Sequence, residues 1–345
     1  MPKVLQLLEY SALEIGIIFA AAPLMRFLTP FFFLKHFSLT QKVYNRAILL
    51  LLLSSIFFYV ATSYFWLLFL ANLMMGVGLS LTLPYVEVIS LEVITKEHYG
   101  KIRLFGSIGF IIVALVLANF LDNPFNAIHF LFFTTALTVI SAYMVVKLYA
   151  HHHVDKSTDN TNTFSMSSHA LLWVSLFLMQ VSFGGFYNFF TNYETSHGIS
   201  LQTVSYLWTI GVIFEVIMFY FQGKLLKKSL VKLIETSTIL TAFRWFLLYL
   251  FPENLPILYF SQSLHAFSFA LYHSAVISYL FSIYKAKKIA QQFFLGITYG
   301  LGGMIGSISS GIVYDFNKEY LYLFSTIIAL SAYFALLLDK KKSFK

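Results

Sequence analysis

Long apolar runs recur from one end of this 345-residue chain to the other, separated by short polar breaks. Each run is long enough to cross a hydrocarbon core of ~30 Å. None shows the polar alternation of a membrane barrel strand, so the runs predict helices. Eleven spans are predicted, at about 12–33, 46–62, 65–86, 104–121, 127–147, 170–190, 203–223, 233–250, 256–282, 290–313 and 321–338. The longest polar stretch, HHHVDKSTDNTNTFSMSSH at 151–169, is rich in Ser, Thr, Asn and Asp and reads as a flexible linker. It divides the chain into an N-terminal bundle at 1–148, a linker at 149–169 and a C-terminal six-helix bundle at 170–345.

Composition turns this pattern into a class. Hydrophobic residues make up 59% of the chain and charged residues 11%, with a mean hydropathy of +0.76. Soluble domains carry about one quarter charged residues, so the expected class is an all-α polytopic membrane protein without a sizeable soluble domain. The net charge of +8 does not signal nucleic acid, because of where the charges lie. Nineteen of the 23 Lys and Arg residues fall in alternate loops or at the C terminus; only Lys3 and Lys318 lie on the other side, and Arg26 and Arg244 lie inside spans. This bias places the basic loops and the C terminus in the cytoplasm and the N terminus outside. Cysteine is absent, which removes disulfides, thiolate metal sites and a cysteine nucleophile. The start, MPKVLQLLEYSALEIG, lacks the basic region and apolar core of a signal peptide.

An internal repeat appears on shifting the chain by 189 positions. The segment 10–35, YSALEIGIIFAAAPLMRFLTPFFFLK, then lies against 199–224, ISLQTVSYLWTIGVIFEVIMFYFQGK. Ser11 meets Ser200, each opening a helix, and Ser11-x-x-Glu14 forms a capping box. Lys35 meets Lys224, and Arg26 meets Glu215, both charges roughly 13 Å along a helix from the loop lysine. Under the same shift Met1 corresponds to Phe190, so the span at 170–190 has no counterpart in the first half. The expectation is a twelve-helix plan lacking its first helix, either because the true start lies upstream or because the gene is truncated.

Ionisable side chains inside spans are functional candidates, because lipid penalises them unless they are paired or hydrated. Glu215 has no local partner in VIFEVIMFYF, and Arg244 on the next span lies at a depth from which the two could meet. Such a pair fits either a proton- or substrate-linked switch or a static ion pair. Arg26 either lines a cavity and attracts an anionic solute or turns to the cytoplasmic surface. Gln262, His265, Phe269 and Tyr272 share one face at helical spacing, with His273 alongside. The imidazoles suit either proton coupling or hydrogen-bonded packing. Gln180, Tyr187, Asn188 and Asn72 are further candidates for a polar cavity wall. Glu87 and Glu92, facing Lys101 and Arg103, read as an inner gate or clamp. No metal, cofactor or catalytic set is expected. The stretches YGLGGMIGSISSG at 299–311 and FGSIG at 105–109 are small-residue seams for close helix packing rather than phosphate loops.

Several stretches resemble the phenylpropionic-acid transporter group of the major facilitator superfamily, which is related to nucleoside:proton symporters and, more distantly, to lactose permease. They are YGKIRLFGSIGFI (99–111), VSYLWTIGVIFEVIMF (204–219), FRW (243–245) and LHAFSFALYHSA (264–275). The resemblance implies a two-bundle fold and a monomeric permease of a bacterial inner membrane, carrying a small-molecule solute together with protons, as a symporter, by alternating access. It places Arg26, Glu215, Arg244 and His265 in corresponding spans without giving their roles. The loop LKHFSLTQKVYNR departs from the superfamily, lacking the usual Gly and Asp. Two other classes were weighed: a non-transporting remnant of such a permease, and a polytopic membrane enzyme, which would need larger loops over a membrane face.

Overall fold

The computed structural model describes the backbone of residues 1–35, 40–93, 96–121, 123–149 and 165–343. It describes side chains over the same stretches except 30–35, 84, 87–93, 96–104, 149, 288 and 340–343. The first half runs α1 (Pro2–Leu7), α2 (Ala12–Lys35), α3 (Gln41–Ala61), α4 (Phe65–Val93), α5 (Lys96–Ala118) and α6 (Pro124–Tyr149). The second half runs α7 (Ala170–Ser182), α8 (Gly184–Ser196), α9 (Leu201–Phe221), α10 (Leu230–Leu250), α11 (Leu255–Ser263), α12 (Tyr272–Ile283), α13 (Lys287–Phe293), α14 (Gly303–Asn317) and α15 (Leu321–Ser343).

Nine stretches among the described residues are apolar and long enough to cross a membrane. The last of them, Ile289–Asp339, holds two helices joined by a single 3-10 turn, and Phe105–Ala118 adds a shorter apolar helix. The expected eleven spans are therefore present, with internal breaks that apolar patterning did not show. One span is split at Phe183 into α7 and α8. A π-helical segment, Ala266–Leu271, joins α11 to α12, and another, Phe294–Gly302, joins α13 to α14. The short α1 was also unforeseen; Lys3 Nζ ties it to Thr195 of α8 at 2.9 Å.

The caps hold the register of the repeat. Ser11 N–H donates to Glu14 at 2.9 Å while Ser11 Oγ accepts from the Glu14 amide at 3.2 Å, closing the capping box. Ser200 Oγ accepts from the Thr203 amide at 3.1 Å at the matching start of α9. Each cap satisfies amides that a helix start leaves without intrahelical partners.

The two halves meet along two seams. In one, α5 lies on α9, with Phe110 edge-on to Trp208 at 6.1 Å between centroids. In the other, α2 lies on α14 at backbone contact distance. A Cβ on Gly311 would sit 2.6 Å from the Ala12 carbonyl, and one on Gly16 2.6 Å from the Ser307 carbonyl, so only glycine permits this approach. Ser307 Oγ donates to the Gly16 carbonyl across the seam at 2.8 Å. Asp315 completes it, accepting from the amides of Ala12 at 2.9 Å and Leu13 at 2.8 Å. A carboxylate from α14 thus sits on the N-terminus of α2, where the helix dipole favours negative charge. The small-residue seam expected at 299–311 is confirmed. The one expected at 105–109 is not: among the described residues, nothing lies within 4 Å of a Cβ built on Gly106 or Gly109.

Candidate functional site

A cavity of about 570 Å³ lies between the halves, walled by α5, α8, α9 and the α11–π–α12 span, with α1 at one end. Its lining is aromatic: Phe110, Phe186, Tyr187, Trp208 and Phe269 all face it. Its polar groups are few, and the acidic one is Glu215. Lys3 lies at the α1 end, where burial pushes its ammonium below the usual lysine value.

Behind this wall Arg244 is fully buried on α10. Its guanidinium donates to Gln262 Oε1 at 2.8 Å, His265 Nδ1 at 2.9 Å and Ser268 Oγ at 3.1 Å. Its carbon lies 4.2 Å from the centre of the Phe186 ring and 4.6 Å from that of Trp245. The planar fork serves three acceptors at once and still stacks on rings, which an ammonium could not do.

His265 turns this cluster into a relay. A guanidinium offers no acceptor, so Nδ1 accepts from Arg244 and the imidazole proton sits on Nε2. That nitrogen lies 3.4 Å from Glu215 Oε2. The order is therefore Arg244, neutral His265, Glu215, with only Glu215 and His265 reaching the cavity. The expected direct pair between Glu215 and Arg244 is absent; the imidazole stands between them. His265 stands immediately before the π-helical turn Ala266–Leu271, a feature common at functional sites.

The same turn breaks the shared face expected for the aromatic span. Gln262, His265 and Phe269 line the cavity, with the rings of His265 and Phe269 stacked at 5.3 Å. Tyr272 does not line it and is buried elsewhere. His273 is directed to the Tyr299 hydroxyl at 2.8 Å, on the second π-helical segment.

Other candidates divide in the same way. Tyr187 and Asn188 line the cavity. Asn72 instead donates to the Leu68 carbonyl of its own helix at 3.0 Å, and Gln180 packs where a Cβ on Gly302 would be 3.2 Å away. Neither is among the residues that line this cavity. Arg26 lies within electrostatic range of Tyr187 and Tyr299, both in the second half. Tyr187 in turn is within range of Glu215 and Arg244, so the oppositely charged residues of the repeat converge on one tyrosine. The side chains of Glu87, Glu92, Lys101 and Arg103 lie outside the described residues. Sequence reasoning missed Ser268, Phe186 and Trp208. Ser268 had no visible signal, since serines are frequent in every span.

An all-helical membrane protein with paired bundles around a cavity walled by a buried charge relay has the fold of the major facilitator class. The MFS_1 like family matches residues 1–326, and the chain belongs to it. It is 24% identical over 254 residues to the probable 3-phenylpropionic acid transporter of Escherichia coli, covering 68% of this chain and 64% of that protein. It is 25% identical over 264 residues to the uncharacterized transporter YwbF of Bacillus subtilis, covering 74% and 66%. The chain thus spans just under two thirds of the length of these curated relatives. The crystal structure of the nucleoside transporter NupG superposes with a TM-score of 0.75 at 18% identity, covering 97% of this chain and 92% of that one.

Proposed function

We propose that the chain is the body of a secondary active permease for a small organic solute with a planar ring, working as a monomer by proton symport and alternating access. Its bundles would be residues 1–148 and 170–345, with the basic loops and C terminus on the cytoplasmic side of a bacterial inner membrane. The observation that carries this reading is the Arg244–His265–Glu215 relay in the wall of an aromatic cavity. A neutral imidazole between a cation and an acid answers to a proton arriving at Glu215: the acid no longer needs the Nε2 donor, and His265 and Arg244 are freed to rearrange. The rings of Phe110, Tyr187, Trp208 and Phe269 offer stacking surface. Gln262 lines the cavity, and its amide nitrogen, without a hydrogen-bond partner among the described residues, is a spare donor for a polar group. The relatives named for 3-phenylpropionic acid and for nucleosides support a ring-bearing solute.

The test is uptake into proteoliposomes carrying an internal pH dye, with 3-phenylpropionate and uridine as probes. Solute entry should acidify the lumen, an inward proton gradient should accelerate it, and Glu215→Gln should abolish both the acidification and the acceleration. Uptake indifferent to the gradient and to Glu215→Gln would refute the coupling, and binding without uptake of either probe would favour a non-transporting remnant.

A further inference from the structure

The relay leaves one buried acid without a role. Glu194, in the last turn of α8, is 0% exposed. Neither carboxyl oxygen has a hydrogen-bond partner among the described residues, and no ion pair reaches it. Burial of an ionised carboxylate on these terms is prohibitive, because nothing replaces its lost hydration.

The surroundings are polar, and among the described residues no cationic side chain is paired with the carboxyl. On its own helix stand Tyr193 and His197; the His197 ring nitrogens face the Tyr193 carbonyl and Glu319. From α15 comes Tyr322, within electrostatic range of Glu194. Tyr314 of α14, Tyr249 of α10 and Glu319 lie within range of the adjacent Tyr193. The nearby lysines are committed elsewhere, Lys3 to Thr195 and Gln6, and Lys318 to the Ser196 carbonyl. The Tyr322 hydroxyl and Asn192 Oδ1 are themselves buried without partners. The pocket therefore holds hydrogen-bonding capacity, while Lys3, Lys318 and His197 are each bonded to other groups. It also lies within the last turn of α8, about half a turn from its end, at the end of the bundle opposite the basic loops.

We propose that Glu194 is a second proton-binding site, carried as the neutral acid in this conformation and exchanging its proton when the end of the bundle formed by α8, α14 and α15 opens to water. It is separate from Glu215, which keeps a histidine donor. Tyr322 lies within electrostatic range of both Glu194 and Arg244.

The proton site does not depend on the transport reading, and its test needs no solute. Infrared spectra of the full chain in lipid nanodiscs at neutral pH should show the carbonyl stretch of a protonated carboxyl. Glu194→Gln should remove it and Glu215→Gln should leave it. A second readout is the apparent Tm in detergent against pH. Unfolding hydrates and ionises this acid, so above the ordinary carboxylate range wild-type stability should fall with rising pH relative to Glu194→Gln. The limit is tenfold in the folding constant per pH unit, the value for one proton. A protonated-carboxyl band that survives Glu194→Gln, or parallel pH profiles for the two proteins, would overturn the proposal. A failure of proton-driven uptake with both readouts positive would reject the symport reading and leave this site standing.

Discussion

Replacing His265 separates the two sides of the relay, and the choice of replacement tests the tautomer. In His265→Asn, the side-chain oxygen takes the position of Nδ1 and still accepts from Arg244, while the donor to Glu215 is lost. That contact is long, at 3.4 Å, so the loss lies at the low end for a hydrogen bond to a charged group, about 1.5 kcal/mol. In His265→Leu both contacts go, and Arg244 keeps only Gln262 and Ser268. Removing one partner from a buried charged cluster costs about 3–5 kcal/mol. At roughly 1.4 kcal/mol per decade, the folded-to-unfolded ratio falls about tenfold for Asn and by about two to three and a half decades for Leu. The assay is denaturant or thermal unfolding of the purified chain in one detergent, following tryptophan fluorescence of the nearby Trp245. Equal destabilisation by Asn and Leu would mean that Nδ1 is not the acceptor for Arg244. A Leu variant as stable as wild type would mean that the relay is not a buried charged cluster at all.

Gly311→Val should force the α2–α14 seam apart, since even a Cβ would meet the Ala12 carbonyl at 2.6 Å; a loss of about 1–3 kcal/mol is expected, read as a lower apparent Tm. Asp315→Ala leaves the Ala12 and Leu13 amides without their acceptor and should cost about 0.5–2 kcal/mol, with Asp315→Asn, which keeps one oxygen, losing less in the same unfolding assay. Gly198 ends α8 at φ +83°, so Gly198→Ala should cost about 1–2 kcal/mol for a left-handed residue bearing a Cβ, again by apparent Tm. Arg26→Gln should weaken uptake of 3-phenylpropionate more than that of uridine in proteoliposomes; equal effects would mean that Arg26 does not act on solute charge.

The spans and their number were legible because lipid imposes a length and an apolar composition that each run must meet alone. The capping box at Ser11 and the cap at Ser200 were legible for a similar reason: both bonds close within one turn. The relay was half legible. Glu215, Arg244 and His265 stood out as charged or polar groups inside spans, yet who would touch whom did not follow from depth along separate helices. Asn72 and Asn188 look alike in the sequence, and each amide bonds to its own helix, yet only Asn188 lines the cavity, because helix position and not residue type decides it.

By itself, the sequence determined that this is a helical membrane protein with a repeated plan, and it marked the residues that lipid would not tolerate unpaired. Only the tertiary structure decided their partners. Packing of α9 and α10 against the span that holds His265 sets the imidazole between Glu215 and Arg244, and packing around α8 leaves Glu194 unpaired among the described residues. The physical reason is range. Span length and helix caps are settled within about twenty residues of chain, whereas the environment of a buried charge is set by side chains arriving from four or five helices at once.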